Sequence, residues 1–220
     1  MSSKCFTERF AAFEPFEGLR NGFIGRQPGL EIAVDRDEAL QRLAQPHALA
    51  REELGIGTEF RLILGEQIHD QALATVDRLS PAMIPGVDGL ITATPGIALG
   101  IYVADCCAIY LFDPIQRVIA LLHSGRKGTQ LGIASGAIAR MIQDFGCRPE
   151  RMIAQLSPCI RPPHFETDFA TEIIQQCRAA GIEQVFDNGT CTASHPELYY
   201  SYRAERGRTG RMLALLAMAA

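Results

Sequence analysis

Histidine is scarce in this chain: there are five, and no two stand in a His-X-His pair. So small a set cannot furnish the imidazole-rich ligands of a multicopper cluster, which excludes copper oxidation. A strong excess of one charge is also missing. The formal net charge is −4, which gives no general attraction to a phosphate backbone and argues against a nucleic-acid partner. No apolar run is both long and uncharged enough to span a bilayer, since the greasiest stretch, Ile97 to Phe112, is interrupted by Asp105. The first ten residues lack the basic-then-apolar order of a signal peptide, so a soluble, cytoplasmic protein without a membrane partner is expected. The seven cysteines show no regular pairing distances, in a chain large enough not to need disulfides, so they are expected to be reduced thiols. Internal repeats and long linkers are absent as well. With 47% hydrophobic residues the chain can bury a full core, and one domain covering 1–220 is expected.

What is present reads as strands with a few helices. Asp35 with Glu38 resembles a capping box and opens a first helix through Leu43, and a second short helix is predicted after Pro46. Strand-like runs dominate from Arg61 to His123, with the break at Asp113-Pro-Ile-Gln-Arg117 suggesting a hairpin. Gly128 to Gly146 has apolar residues at helical spacing, and Gly146 suits its C-cap. Met152–Leu156 reads as a strand, and Phe169, Ile173 and Cys177 mark one face of a helix from about 167 to 180. Met212–Met218 suits a last strand, although its Ala- and Leu-rich sequence is equally compatible with helix. The mixture favours an α+β fold, a mixed-sheet sandwich of three layers, over regular βαβ repetition.

His69, Cys106 and His123 each end or closely follow one of these apolar runs. Two imidazoles and a thiolate at neighbouring strand ends would make a three-ligand zinc site with its fourth position open, the arrangement of a catalytic centre. Cys106 and Cys107 must point to opposite faces of a strand, so only one of them can join the histidines, and spacing does not choose between them. Arg126 and Lys127 follow His123, and Arg203, Arg206, Arg208 and Arg211 crowd the C-terminal segment. They suit either a solvated face or a pocket for a small anion.

Gln67-Ile-His69, Asp88-Gly-Leu-Ile-Thr92, Ala104-Asp-Cys106, His123-Ser-Gly-Arg-Lys-Gly-Thr129, and Ser201-Tyr-Arg203 with Thr209-Gly-Arg211 occur in the order of one family. The chain thereby resembles the multicopper polyphenol oxidase, or laccase-domain, family, whose members are better regarded as zinc-dependent purine nucleoside enzymes. The resemblance runs from about residue 60 to the C-terminus. It implies a laccase-domain fold similar to that of cysteine hydrolases, with His69, Cys106 and His123 as zinc ligands and Cys107 as a packing residue. It also implies phosphorolysis of purine nucleosides, adenosine deamination and phosphorolysis of methylthioadenosine, with purine nucleoside and phosphate as the small-molecule partners. On that reading zinc activates water or the base, Asp88 or Asp105 shuttles a proton, and Arg126, Lys127, Arg203 and Arg211 are the anion-binding candidates. Of the two carboxylates Asp88 is the better shuttle, since Asp105 precedes a ligand and should face away from it unless a bulge turns it inward.

The family's usual His-Ala-Gly-Trp-Arg-Gly-Thr is altered here, so that Arg126 replaces an aromatic platform and Lys127 stands where arginine is expected. Two other functions use the same residues. Cys106 activated by His123 would hydrolyse an amide or ester without metal, and the resemblance adds a peptidoglycan precursor as a substrate, since some relatives are linked to correcting one. A non-catalytic metal- or partner-binding protein would keep the fold alone.

Overall fold

The computed structural model describes residues 4–219, so the first three residues of the N-terminal segment read above, and Ala220, lie outside the described residues. In chain order the elements are β1 (Thr7–Glu8), β2 (Leu19–Ile24), α1 (Arg36–Glu53), β3 (Arg61–Gly65), β4 (Leu73–Thr75), β5 (Met83–Ile84), β6 (Gly89–Thr92) and β7 (Ile97–Val103). They continue with β8 (Cys107–Asp113), β9 (Val118–Ser124), α2 (Arg126–Gln130), α3 (Ile133–Phe145), β10 (Ile153–Leu156), α4 (Phe169–Ala179), β11 (Gln184–Asp187) and β12 (Met212–Met218). Two six-stranded sheets result. One has the order β1-β2-β12-β7-β3-β5 and the other β11-β10-β8-β9-β6-β4.

Period-two alternation sorts each strand between two cores. In β8, Ala108, Tyr110 and Phe112 pack between the sheets against Leu99, Ile101 and Val103 of β7. Cys107, Ile109 and Leu111 point the other way, onto Ile138 and Met141 of α3 and Phe169 and Ile173 of α4. On the outer face of the first sheet, Leu213, Leu215 and Ala217 of β12 meet Ala50 of α1 and Leu54, which caps that helix. The sandwich therefore has four layers, helix-sheet-sheet-helix, rather than the expected three. Each fully buried leucine or isoleucine in these cores contributes about 1.5–3 kcal/mol. Tyr110, buried among them, places its hydroxyl on the Gly22 carbonyl at 2.8 Å.

Several local expectations need correction. Pro46 does not separate two helices but lies inside α1. Ala39, Leu43, His47 and Ala50 keep one buried stripe on both sides of it, and that burial outweighs the single backbone bond a proline removes. Gly128 to Gly146 is two helices, because Gly132 adopts φ 77° between α2 and α3; Gly146 does close α3, at φ 67°. The run ending at Cys106 leaves its strand at Val103, and the run ending at His69 leaves its strand at Gly65. The Asp113–Arg117 break is the expected hairpin between antiparallel β8 and β9, with the Asp113 carboxylate accepting the Ile115 and Gln116 N–H groups at 2.8 and 3.0 Å. Met212–Met218 is a strand, paired on both edges. All seven cysteines are free thiols. Among the described residues, no helix is long and apolar enough to cross a membrane.

Candidate active site

Two short connections cross from one sheet to the other at the same end of the sandwich. Ala104-Asp105-Cys106 joins β7 to β8, and the segment 66–72 joins β3 to β4. Cys106 sits on the first and His69 on the second, while His123 lies near the end of β9, opposite Ala108. Alternation along β9 puts Leu122 on the helix-side core and His123 with Leu121 on the side between the sheets. The ligand atoms of His69, Cys106 and His123 consequently lie within 4.8 Å of one another. Cys107, one residue on, is fully buried in the helix-side core.

Asp88 organises two of the three. Its Oδ1 faces His123 Nδ1 at 2.8 Å and accepts the His69 N–H at 3.0 Å. Its Oδ2 accepts the N–H groups of Ile68 and Asp70 at 3.2 and 2.8 Å. His69 is thereby held at φ 59°, a left-handed conformation that costs a non-glycine residue about 1–3 kcal/mol and persists only when neighbours enforce it. When the ring is neutral and its Nδ1 proton is directed to Asp88, His123 Nε2 presents its lone pair to the site. The rings of His69 and His123 stand at 88° with centroids 4.7 Å apart, so both offer ring nitrogens without stacking on each other. This donor set fits a metal ion: two imidazoles, one thiol, and an outer carboxylate fixing one tautomer.

Burial alone would raise the Cys106 thiol, but the charge of His123 and hydrogen bonds from both histidines bring it down. Burial opposes a proton on His123, and the Cys106 thiolate and Asp88 reverse that and raise it. The thiol is poised as a thiolate, the form a metal binds. Gly125 makes room for it, since a Cβ there would lie 2.6 Å from Cys106 Sγ. Gly125→Ala is therefore expected to displace the thiol and weaken metal binding at least about tenfold, with the circular dichroism of the fold retained. Chelator competition measures this; unchanged affinity would show that the loop yields instead.

Asp105 adopts φ 80° in its turn and points to the C-terminal segment. Its carboxylate accepts Thr192 Oγ1 at 2.6 Å, Ser201 Oγ at 3.0 Å and the Arg203 N–H at 2.7 Å. Ser201-Tyr-Arg203 is thus tied to the residue before Cys106. Gln67 is tied in the same way, donating its amide to the Tyr102 carbonyl, which leaves Gln67 Oε1 buried without a donor among the described residues.

A cavity of about 460 Å³ opens over His69, Cys106 and His123. Phe165, Tyr102 and Tyr202 give it aromatic walls, and Arg36, Arg126, Arg203 and Arg211 give it cationic ones. Asp105 lines it, whereas Asp88 lies behind His123 and Lys127 points away to pair with Asp70 at 2.8 Å. Arg126 and Arg203 share Glu166, at 3.3 and 3.0 Å. Sequence reasoning missed Arg36 and Phe165, which belong to no motif, and passed over Tyr202, which stands inside Ser201-Tyr-Arg203.

The model of the family described as multi-copper polyphenol oxidoreductase laccase matches residues 20–173 and 166–219. The chain belongs to that family. Family relatives include a purine nucleoside phosphorylase of Deinococcus radiodurans, 29% identical over 88% of this chain and 84% of that protein. Another is purine nucleoside phosphorylase SCO2081 of Streptomyces coelicolor, 27% identical over 94% of this chain and 91% of its own length. The crystal structure of YlmD from Geobacillus stearothermophilus superposes with a TM-score of 0.81 at 25% identity, covering 94% of both chains. That of Bacillus licheniformis YfiH does so with 0.80 at 22% identity, covering 91% of this chain and 92% of its own, and shares the fold.

Proposed function

We propose that this family member is a zinc-dependent purine nucleoside phosphorylase that also deaminates adenosine. The observation that carries the proposal is the His69-Cys106-His123 group at the floor of an aromatic and arginine-lined cavity. The names of its relatives support the purine substrate. Zinc held by these three residues would supply a Lewis acid to the reaction.

The chain's own residues supply the rest. Phe165, Tyr102 and Tyr202 offer apolar faces of a size suited to a purine. Gln67 Oε1, buried and without a donor, accepts a hydroxyl or amino group of the substrate. Arg126 and Arg203 hold inorganic phosphate by exchanging it for Glu166. Asp88 accepts three backbone N–H groups and faces His123 Nδ1, and Asp105 accepts two hydroxyls and the Arg203 N–H, so both, read from sequence as proton shuttles, act as positioning residues.

Protein purified without added metal should contain stoichiometric zinc. With phosphate, adenosine should yield adenine and ribose 1-phosphate; without it, inosine. Arg203→Ala should raise the apparent KM for phosphate more than about tenfold, and Lys127→Ala less than about threefold. Zinc-loaded protein that turns over no purine nucleoside would sink the assignment. The lowered Cys106 thiol favours a second reading, a metal-free Cys-His hydrolase, which full amidase activity in chelator-treated protein would support.

A further inference from the structure

Phosphorolysis of a nucleoside requires one anion site, and this cavity has two sets of guanidinium groups. Arg126 and Arg203 form one, bridged by Glu166. Arg36 and Arg211 form the other, and among the described residues neither has a carboxylate within ion-pair distance. Arg36 is the first residue of the 18-residue α1. Asp35 and Asp37 flank it in sequence, but the Asp35 carboxylate caps the Glu38 N–H at 3.0 Å and Glu38 pairs with Arg42. The positive end of the helix dipole adds to the same corner. Arg211 is half-buried, with Nη1 on the carbonyls of Thr209 and Gly210 at 2.8 and 2.9 Å, and its guanidinium lies 6.0 Å from the Tyr202 ring centroid.

We propose that Arg36 and Arg211 bind a phosphoryl group carried by the substrate itself, so that the preferred substrate is a purine nucleoside monophosphate rather than a nucleoside. This rests on the purine reading above and narrows its substrate class. Two guanidinium groups match a phosphate dianion in charge and in bidentate geometry. Burial, and then the neighbouring Arg36, disfavour the charge on Arg211, a cost that a shared anion offsets. With adenosine 5′-monophosphate, an oxygen of inorganic phosphate bonds to C1′ as the C1′–N9 bond breaks. The bonding pair leaves with the base, which takes up a proton, and the products are adenine and ribose 1,5-bisphosphate.

The test compares AMP with adenosine in saturating inorganic phosphate, which fills the other anion site. kcat/KM should be at least about tenfold higher for AMP, and Arg36→Ala should lower it for AMP at least about tenfold more than for adenosine. Equilibrium titration of the same protein supplies a second readout, in which AMP binds more tightly than adenosine and phosphate does not displace it. Equal or better turnover of adenosine overturns the inference and leaves the nucleoside reading standing. Competition between phosphate and AMP also overturns it, by showing a single anion site. Should neither compound be turned over, the purine activity fails, and the titration still decides: tighter, phosphate-resistant AMP binding upholds the second site, and equal binding removes it.

Discussion

Asp88→Asn is expected to lose bound metal and stability together, although it changes only one oxygen to an amide nitrogen. Each Asp88 oxygen receives donors on the native protein: Oδ1 meets His123 Nδ1 and the His69 N–H, and Oδ2 meets the N–H groups of Ile68 and Asp70. Asparagine has one acceptor oxygen, so either orientation of its amide aims N–H groups at N–H groups in a site with no exposure to solvent. Buried donors left unpaired cost about 1–3 kcal/mol each, and loss of the carboxylate behind a metal-binding histidine costs about 10–100-fold in affinity. Urea unfolding of metal-free protein and metal titration of the folded variant separate the two effects. A variant that keeps native zinc affinity and stability but loses turnover would restore Asp88 to proton transfer.

The largest contrast is expected between two adjacent cysteines. Cys106→Ala removes one of the three residues proposed to hold zinc and should lower zinc affinity at least about 100-fold. Cys107→Ala should leave the metal in place, because Cys107 lies on the helix-side core and its thiol is pushed well above the ordinary range by burial, with no role as a thiolate. Its cost is one small cavity, about 1 kcal/mol. Zinc content after exhaustive dialysis reads both variants, and equal zinc loss from each would contradict the assignment of Cys106 alone.

How far the sequence carried can be judged residue by residue. His69, Cys106 and His123 were legible because each stands in a motif of contiguous residues. The opposite facing of Cys106 and Cys107 was expected from strand alternation, but Cys106 lies in the crossing and only Cys107 opens β8, so the turn and not a continuous strand separates them. Asp105 was not legible, because its φ of 80° marks a crossing between sheets where the sequence suggested a continuing strand. Arg36 was invisible for a different reason: it reaches the cavity through the packing of α1 on the far sheet, a contact between distant segments. Pro46 shows the limit of local rules, since burial of Leu43 and His47 decides the helix that proline was expected to end.

The three-residue crossing from Val103 to Cys107 ties the chemistry to chain length. One residue more or fewer there must either slide β8 along β9 or bulge the turn. Sliding exchanges the small and aromatic set of Ala108, Tyr110 and Phe112 with that of Cys107, Ile109 and Leu111 between two differently shaped cores. Bulging moves Cys106 Sγ out of the hollow left by Gly125. The cavity walls can change by substitution, as Arg126 illustrates, whereas an insertion or deletion at this crossing disturbs either the cores or the site. Divergence in substrate is thus channelled through side chains, around a centre whose spacing stays fixed.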